Sequence, residues 1–404
     1  TDLAKLIKEQ KKLKEGDKIY ATWMNKAVIL MRIGKEPIEQ GMNMIVSHID
    51  SPRIDVKPNP LYENEGVAYL DTHYYGGIKK YQWTAIPLAL HGVVVKKDGT
   101  KVTVKIGEEE CEPKFVISDI LPHLGAEQGK RTLSEGISGE ELNVIVGSRP
   151  FKSDEGSELV KLNILKLLNE KYGIVESDFL SAELEVVPAF KADDIGFDRS
   201  LIGSYGHDDR VCAYPAAMAA FDIEAPDYTV ISVLTDKEET GSDGNTGLQS
   251  SYLKYFIAYL AKANGLEVYQ VLSKSECLSA DVNSAYDPTF NSVFEKNNTS
   301  YLNKGVVITK YTGARGKSGT SDASAEYMGK IRAMLDKANV VWQIGELGKV
   351  DAGGGGTVAK YIANLDIDVV DLGVPVLSMH APYEVISKLD LYMAYKAFYA
   401  FFKQ

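Results

Sequence analysis

Four short apolar runs, each followed closely by metal-ligand side chains, constrain this chain more than any other feature of its sequence. Residues 42–46, 229–234, 266–272 and 368–377 are rich in Val, Ile and Leu and short enough for buried strands. The first runs into Ser47-His48-Ile49-Asp50 and the second into Thr235-Asp236-Lys237-Glu238-Glu239. The third is followed by Leu278-Ser279-Ala280-Asp281, and the last ends in Ser378-Met379-His380. In an open α/β sheet, sites form outside the carboxyl ends of the strands. Separate strands therefore bring His, Glu-Glu, Asp and His to one edge. A fifth piece, Gly206-His207-Asp208-Asp209-Arg210, feeds an apolar helix expected over 211–221.

Segments 246–264, 323–338 and 384–402 carry apolar side chains at helical spacing. Alternating strands and helices predict an α/β fold: an open, mixed and largely parallel sheet with helices on both faces. The texture changes from about 86 to 188. Strand-like stretches at 91–96 and 101–106 flank the turn Lys97-Asp98-Gly99, and a helix is expected over 158–172. This reads as a β-rich insertion, 86–188, that interrupts a domain made of 1–85 and 189–404.

Composition then removes several functions. With 45 Lys plus Arg against 56 Asp plus Glu, the net charge of −11 disfavours a nucleic-acid partner. No apolar stretch reaches the roughly 18 residues a membrane helix needs. Three Cys build no disulfide framework, so a reducing, cytoplasmic setting is expected. Residues 1–18 read as a surface helix, not a signal peptide.

His and carboxylates in mixture suit zinc, cobalt or manganese better than magnesium or calcium. Two ions about 3.5–4 Å apart need about five such ligands, one of them bridging. The chain offers five: His48, Asp208, Glu239, Asp281 and His380. Asp50 lies two residues after His48, so in an extended chain both point to one side, where Asp50 would orient the imidazole. Glu238 would be the carboxylate left to deprotonate water. Each residue also has a plainer reading: Asp208-Asp209 as a helix N-cap, Asp281 as an Asx-turn, Glu238-Glu239 as a solvated helix start. Four strand-end placements on one edge count against chance.

The segments SHIDSPRIDVKP (47–58), GHDDRVCAY (206–214), TDKEETGS (235–242), SADVNSAYDP (279–288) and PVLSMHAPYE (375–384) together resemble, in order, the motifs of the aspartyl aminopeptidase family, which are dinuclear-zinc exopeptidases. The resemblance implies that His48, Asp208 and Asp281 hold one ion and Glu239, Asp208 and His380 the other, with Asp208 bridging. Asp50 would orient His48, and Glu238 would be general base and acid. It further implies peptide substrates with a free amino terminus, and self-association through a β-rich domain into dimers that build a dodecamer. Two stretches depart from the family. No His lies between Gly77 and Trp83, where many members carry one, and 310–317 differs from the usual run.

Lys310, Arg315 and Lys317 form a small cationic cluster in an acidic chain, which would suit an acidic first residue of the substrate. Gly354, within the run Gly353–Gly356, permits close backbone approach to a ligand or in a tight turn. Gly313-Ala314-Arg315-Gly316-Lys317-Ser318 has two residues between its glycines where a phosphate loop needs four. Two alternatives remain: a metal-dependent deacylase on the same scaffold, and a catalytically idle shell or chaperone-like assembly, disfavoured because no ligand or base is missing.

Overall fold

The computed structural model describes residues 13–153 and 155–404, and the chain divides into two compact units. The first comprises 1–51, 193–379 and 383–404, and the second 52–192 with 380–382. The first unit begins with β1 (Lys18–Trp23), β2 (Ala27–Arg32) and β3 (Met42–His48). The second carries β4 (Arg53–Asn64), β5 (Val67–Tyr75), β6 (Leu88–Val95), β7 (Lys101–Ile106), β8 (Val116–Ile117), β9 (Val144–Gly147), α1 (Leu159–Tyr172) and β10 (Ala182–Pro188). The first then resumes with β11 (Asp193–Ile195), β12 (Leu201–Ser204), α2 (His207–Asp222), β13 (Thr229–Thr235), α3 (Tyr252–Ala263) and α4 (Val268–Leu272). It continues through β14 (Glu276–Ser279), β15 (Asn283–Ser284), β16 (Val306–Thr309), α5 (Ala325–Lys337), β17 (Trp342–Ile344) and α6 (Ala359–Ala363). It ends with β18 (Asp368–Gly373), β19 (Pro375–Leu377), β20 (Glu384–Ser387) and α7 (Lys388–Phe402).

The first unit is built on a sheet in the order β1-β2-β13-β3-β14-β18-β16-β17. Its centre, β13-β3-β14-β18, is parallel, while β1, β2 and β16 add antiparallel pairings. Successive side chains on a strand point to opposite faces, and β3 shows the consequence. Ile45 packs into one apolar core with α2, α5 and α7; Met44 and Val46 pack into another with α3, α4 and α6. A strand apolar on both faces thus requires helices on both. The helices meet it with the expected periodicity. In α3, Leu253, Phe256, Ile257 and Leu260 are buried, while Tyr255 and Tyr259 face outward. In α7, Phe398, Phe401 and Phe402 are fully buried, each contributing about 1.5–3 kcal/mol.

Three expectations change here. The run 266–272 is not a strand: its apolar residues form α4, with Gln270 accepting from the Glu267 N–H at 2.8 Å. Short apolar runs do not separate strand from helix by periodicity alone. The strand leading to Asp281 is β14 instead. The run 368–377 breaks at Val374 into two strands of different sheets, β18 in the large sheet and β19 in a smaller one ordered β11-β12-β20-β19-β15. Segment 384–402 starts as β20 and turns helical only where the Ser387 hydroxyl accepts from the Leu389 N–H at 3.1 Å.

The second unit contains a sheet ordered β7-β6-β10-β4-β5-β9-β8. Phe115, just before β8, exchanges backbone hydrogen bonds of 2.8 and 2.9 Å with Leu88 of β6, which closes strands β6-β10-β4-β5-β9-β8 into a ring. This unit starts at Pro52, not near residue 86, because β4 pairs with β10 and β5 with β9. Segment 52–85 reads as continuous with the first strands, since sequence periodicity does not reveal pairing partners. The expected helix at 1–18 falls largely on residues outside those described; Lys18 opens β1. Among the described residues, no helix is long and apolar enough to cross a membrane.

Candidate metal centre

In the first unit, β3, β13 and β14 end side by side, and their parallel register places His48 opposite Thr235 and Ser279 opposite Val46. The residues just beyond each strand consequently collect at one edge: Asp50 after β3, Glu238 and Glu239 after β13, Asp281 after β14. Asp208 joins them from the first turn of α2, where its backbone is still non-helical (φ −77°, ψ 107°). His48, Asp50, Asp208 and Asp281 are all buried.

The distances describe a single imidazole surrounded by acids. His48 Nε2 lies 3.1 Å from Asp208 Oδ1, 3.8 Å from Asp281 Oδ1 and 3.9 Å from Glu238 Oε2. Potential ligand atoms fall within 4.8 Å of one another in three overlapping groups: His48–Glu238–Asp281, His48–Asp208–Glu239 and Asp208–Asp209–Asp281. The electrostatics follow from crowding. Burial raises the carboxyl of Glu238 to about 8, opposed by His48 and reinforced by the neighbouring Asp281 and Asp208. Burial also raises Asp281, and it raises Asp209 well above the ordinary carboxylate range, with the charge of Asp281 adding to it. His48 is raised as well, for the opposite reason. Burial opposes its charge, but hydrogen bonds with Asp208, Asp281 and Asp50 favour the charged ring and raise it well above the usual imidazole range.

These shifts test whether a cation fits. Several carboxylates forced together out of water are unfavourable as anions unless a positive charge lies among them. One ring nitrogen with several carboxylate oxygens is a donor set suited to zinc. The residues present fit a divalent ion.

The neighbours of these ligands hold them by specific hydrogen bonds. His48 Nδ1 donates to the Asp50 carbonyl at 3.0 Å, whereas the nearest Asp50 carboxylate oxygen is 3.4 Å away. The Asp50 carboxylate accepts from the backbone N–H of Glu238 at 3.1 Å and of Glu239 at 3.3 Å. Asp50 thus touches both parts of the cluster, the imidazole mainly through its backbone and the Glu-Glu turn through its side chain. His380 belongs to the second unit, where its Nδ1 donates to the Gly77 carbonyl at 2.8 Å. The metal-ligating groups among the described residues do not include it.

Three residues given no site role in the sequence analysis hydrogen-bond to members of the cluster. Asp209, fully buried, accepts from the His48 N–H at 3.2 Å. The Glu384 carboxylate accepts from the Asp208 N–H at 3.1 Å, and the Ser51 hydroxyl donates to the Asp208 carbonyl at 2.8 Å. Each lies inside one of the five motif segments, but a buried anchor and a ligand are the same residue type in a sequence. His207 turns away from the ligands, its Nε2 3.2 Å from the Ile202 carbonyl.

The cationic cluster looks different. Lys310 and Lys317, both exposed, share the carboxylate of Asp322, which lies 2.7 Å from Lys317. Lys317 also sits 3.8 Å over the Tyr311 ring. Arg315 and Lys317 line a small cavity of about 260 Å³. Gly354 serves the packing of this loop. A Cβ there, at φ 147°, would lie 2.5 Å from the Gly313 carbonyl oxygen and 2.6 Å from the Ala314 Cβ. The close approach it permits is to the chain's own backbone.

Comparison with known proteins agrees with this chemistry. Residues 3–402 match the family described as aminopeptidase I zinc metalloprotease (M18). A probable M18 family aminopeptidase 1 of Clostridium acetobutylicum is 52% identical over 393 residues, covering 96% of this chain and 84% of that protein. The crystal structure of an M18 aminopeptidase from Thermotoga maritima superposes with a TM-score of 0.94 at 44% identity, covering 98% of this chain and 88% of that one. The yeast mApe1 dodecamer shares the fold, with a TM-score of 0.76 at 21% identity over 96% of this chain and 86% of that one. The named relatives are aminopeptidases, which sets aside the deacylase alternative. A match over nearly the whole length, together with a zinc-suited cluster of imidazole and carboxylates at the sheet edge, has one consequence: this chain belongs to the M18 family of metal-dependent aminopeptidases, which are zinc peptide hydrolases.

Proposed function

We propose that the chain removes the first residue from peptides with a free amino terminus, using two divalent ions held by His48, Asp208, Glu239, Asp281 and His380. Zinc is the expected metal, with cobalt or manganese as substitutes. The observation that carries this reading is the cluster of carboxylates packed around the His48 imidazole within 4.8 Å. Bound there, the metal would polarise the scissile carbonyl and acidify a water molecule.

The chain's own groups do the rest. Asp208 would be the shared ligand of the two ions, since its carboxylate sits with His48 and Glu239 in one group of the cluster and with Asp281 in another. Glu238, beside ligand Glu239, takes the proton from water and passes it to the leaving nitrogen, a role worth about 10²–10⁴-fold. Asp50 fixes the Glu238-Glu239 turn through its carboxylate and the His48 ring through its carbonyl. Gly77 does the same for His380, since donation from Nδ1 leaves Nε2 as the ligating nitrogen.

Preference for an acidic first residue is part of the proposal. Lys310 or Lys317 would exchange Asp322 for the substrate carboxylate, with Arg315 beside them. Gly354 supports that loop by packing beneath it. We further infer self-association, with the second unit making dimers that assemble into a dodecamer; the yeast relative named as a dodecamer supports this. Three free cysteines accord with a reducing, cytoplasmic setting.

The test is metal-stripped enzyme restored with zinc, cobalt or manganese and assayed on peptides beginning with Asp, Glu, Leu or Ala. Two ions per chain and rates highest on Asp and Glu are expected. A preference for Leu would remove the acidic pocket, and stoichiometry of one ion would remove the paired centre. Sedimentation analysis reads the assembly, and a monomer would overturn it.

A further inference from the structure

Within the second unit, the sheet and α1 line a partly open cavity of about 700 Å³. Its size falls in the range of small-molecule sites, about 300–1,000 Å³. The lining is aliphatic, with Leu70, Leu90, Val104 and Leu184 from the strands and Ile164 and Leu168 from the helix. Helix α1 reports the same void from its own side. It carries Leu162, Ile164, Leu165, Leu167 and Leu168, yet Val160 is its only buried residue. A helix this apolar ordinarily buries a whole stripe, and protein interiors close-pack and leave few voids larger than a water molecule. The space is therefore built to receive something apolar.

The backbone and the charges limit what that is. The ring of strands is closed by the Leu88–Phe115 pair, with β7 paired to β6 outside it, and the aliphatic lining leaves recognition to side chains. The charged residues lining the cavity are Lys114, Lys171 and Glu170, two cations to one anion. The Lys114 ammonium donates to the carbonyls of Gly107 and Glu109, and Lys171 pairs with the Glu112 carboxylate at 3.5 Å, which the carboxylate of a ligand would displace.

We propose that this cavity binds a single-chain anionic amphiphile, its alkyl tail among the aliphatic side chains and its carboxylate at Lys114 and Lys171. This site lies wholly in the second unit and is independent of the peptidase reading.

The probe is dodecanoate, titrated calorimetrically into the intact enzyme below its micelle concentration. One molecule per chain is expected. Leu168→Trp, which fills the cavity, should abolish binding while peptide hydrolysis stays normal. Ile164→Phe gives a gentler filling if the first variant does not fold. The double variant Lys114→Gln/Lys171→Gln should weaken dodecanoate about tenfold, and dodecyltrimethylammonium should bind far more weakly than dodecanoate. Absence of binding, or binding unchanged by both filling variants, would overturn the proposal. So would equal affinity for the cationic amphiphile. A shift in oligomer mass in Leu168→Trp with no dodecanoate uptake by the unsubstituted enzyme would mean that a second copy covers the cavity, which also overturns it.

Discussion

Two charged regions of the first unit solve the problem of charge in opposite ways. Around His48, acids are buried against one another and share one imidazole, so burial and mutual repulsion raise Glu238, Asp281 and Asp209 together. In the loop 310–322, two exposed lysines share one exposed carboxylate, and the Lys310 and Lys317 ammoniums hold Asp322 below the usual range. The second arrangement is self-sufficient and worth little, as exposed ion pairs are. The first is unfavourable as a set of anions, a cost that a bound cation would relieve. A charge cluster that its own fold leaves uncompensated is the stronger indication of function.

That contrast can be broken by measurement. The largest effect belongs to Glu238→Gln: activity should fall about 10²–10⁴-fold while metal content, read by elemental analysis, stays at the wild-type level. A variant with near-normal turnover removes Glu238 from the chemistry. Asp50→Asn comes next. It weakens the acceptor for the Glu238 and Glu239 amides, and metal affinity should drop by about 10–100-fold, measured by competition with a chelator. Unaltered affinity would show that those two hydrogen bonds do not position the ligands.

Removing the metal should lower the unfolding temperature, since a ligand bound at about 100 times its dissociation constant stabilises by about 2.7 kcal/mol. Calorimetry with and without chelator reads this, and an unchanged transition would mean that the acids tolerate their own crowding. Asp390 separates burial from crowding. It is buried in α7, held by the N–H groups of Asn303 and Gly305, and raised by burial to about 6. The folded protein then binds a proton that the unfolded chain, near 3.9, has released, so this group's contribution to stability falls as pH rises from about 4 to 6 and is flat above. Asp390→Asn should remove that slope from a pH series of denaturant midpoints. The smallest effect is Asp322→Asn, expected to change stability by only about 0.2–1 kcal/mol. A loss much beyond that would show the loop cluster to be structural after all.

How much of this was legible in the sequence depends on the kind of signal each feature leaves. The candidate ligands after β3 and β13 are legible because an apolar run followed at once by His or Glu-Glu is a local pattern. Asp281 joins the cluster although the strand before it is 276–279 and not 266–272, both of them short and apolar. The roles of Asp209, Glu384 and Ser51 were not legible. They depend on hydrogen bonds between segments 157 to 176 residues apart. Asp50 was named correctly as a neighbour of His48, yet its carboxylate is directed at a turn 188 residues away.

The sequence by itself determined the α/β character and the imidazole and carboxylates that follow β3, β13 and β14, because periodicity and residue chemistry are local properties. Only the tertiary structure decided which strands pair, and so that the second unit begins at Pro52 and closes into a ring around an apolar cavity. It alone decided that Lys310 and Lys317 meet Asp322, and that His380 is held by Gly77 in the second unit. Pairing, burial and charge compensation are relations between distant residues, and they come into existence only when the chain folds.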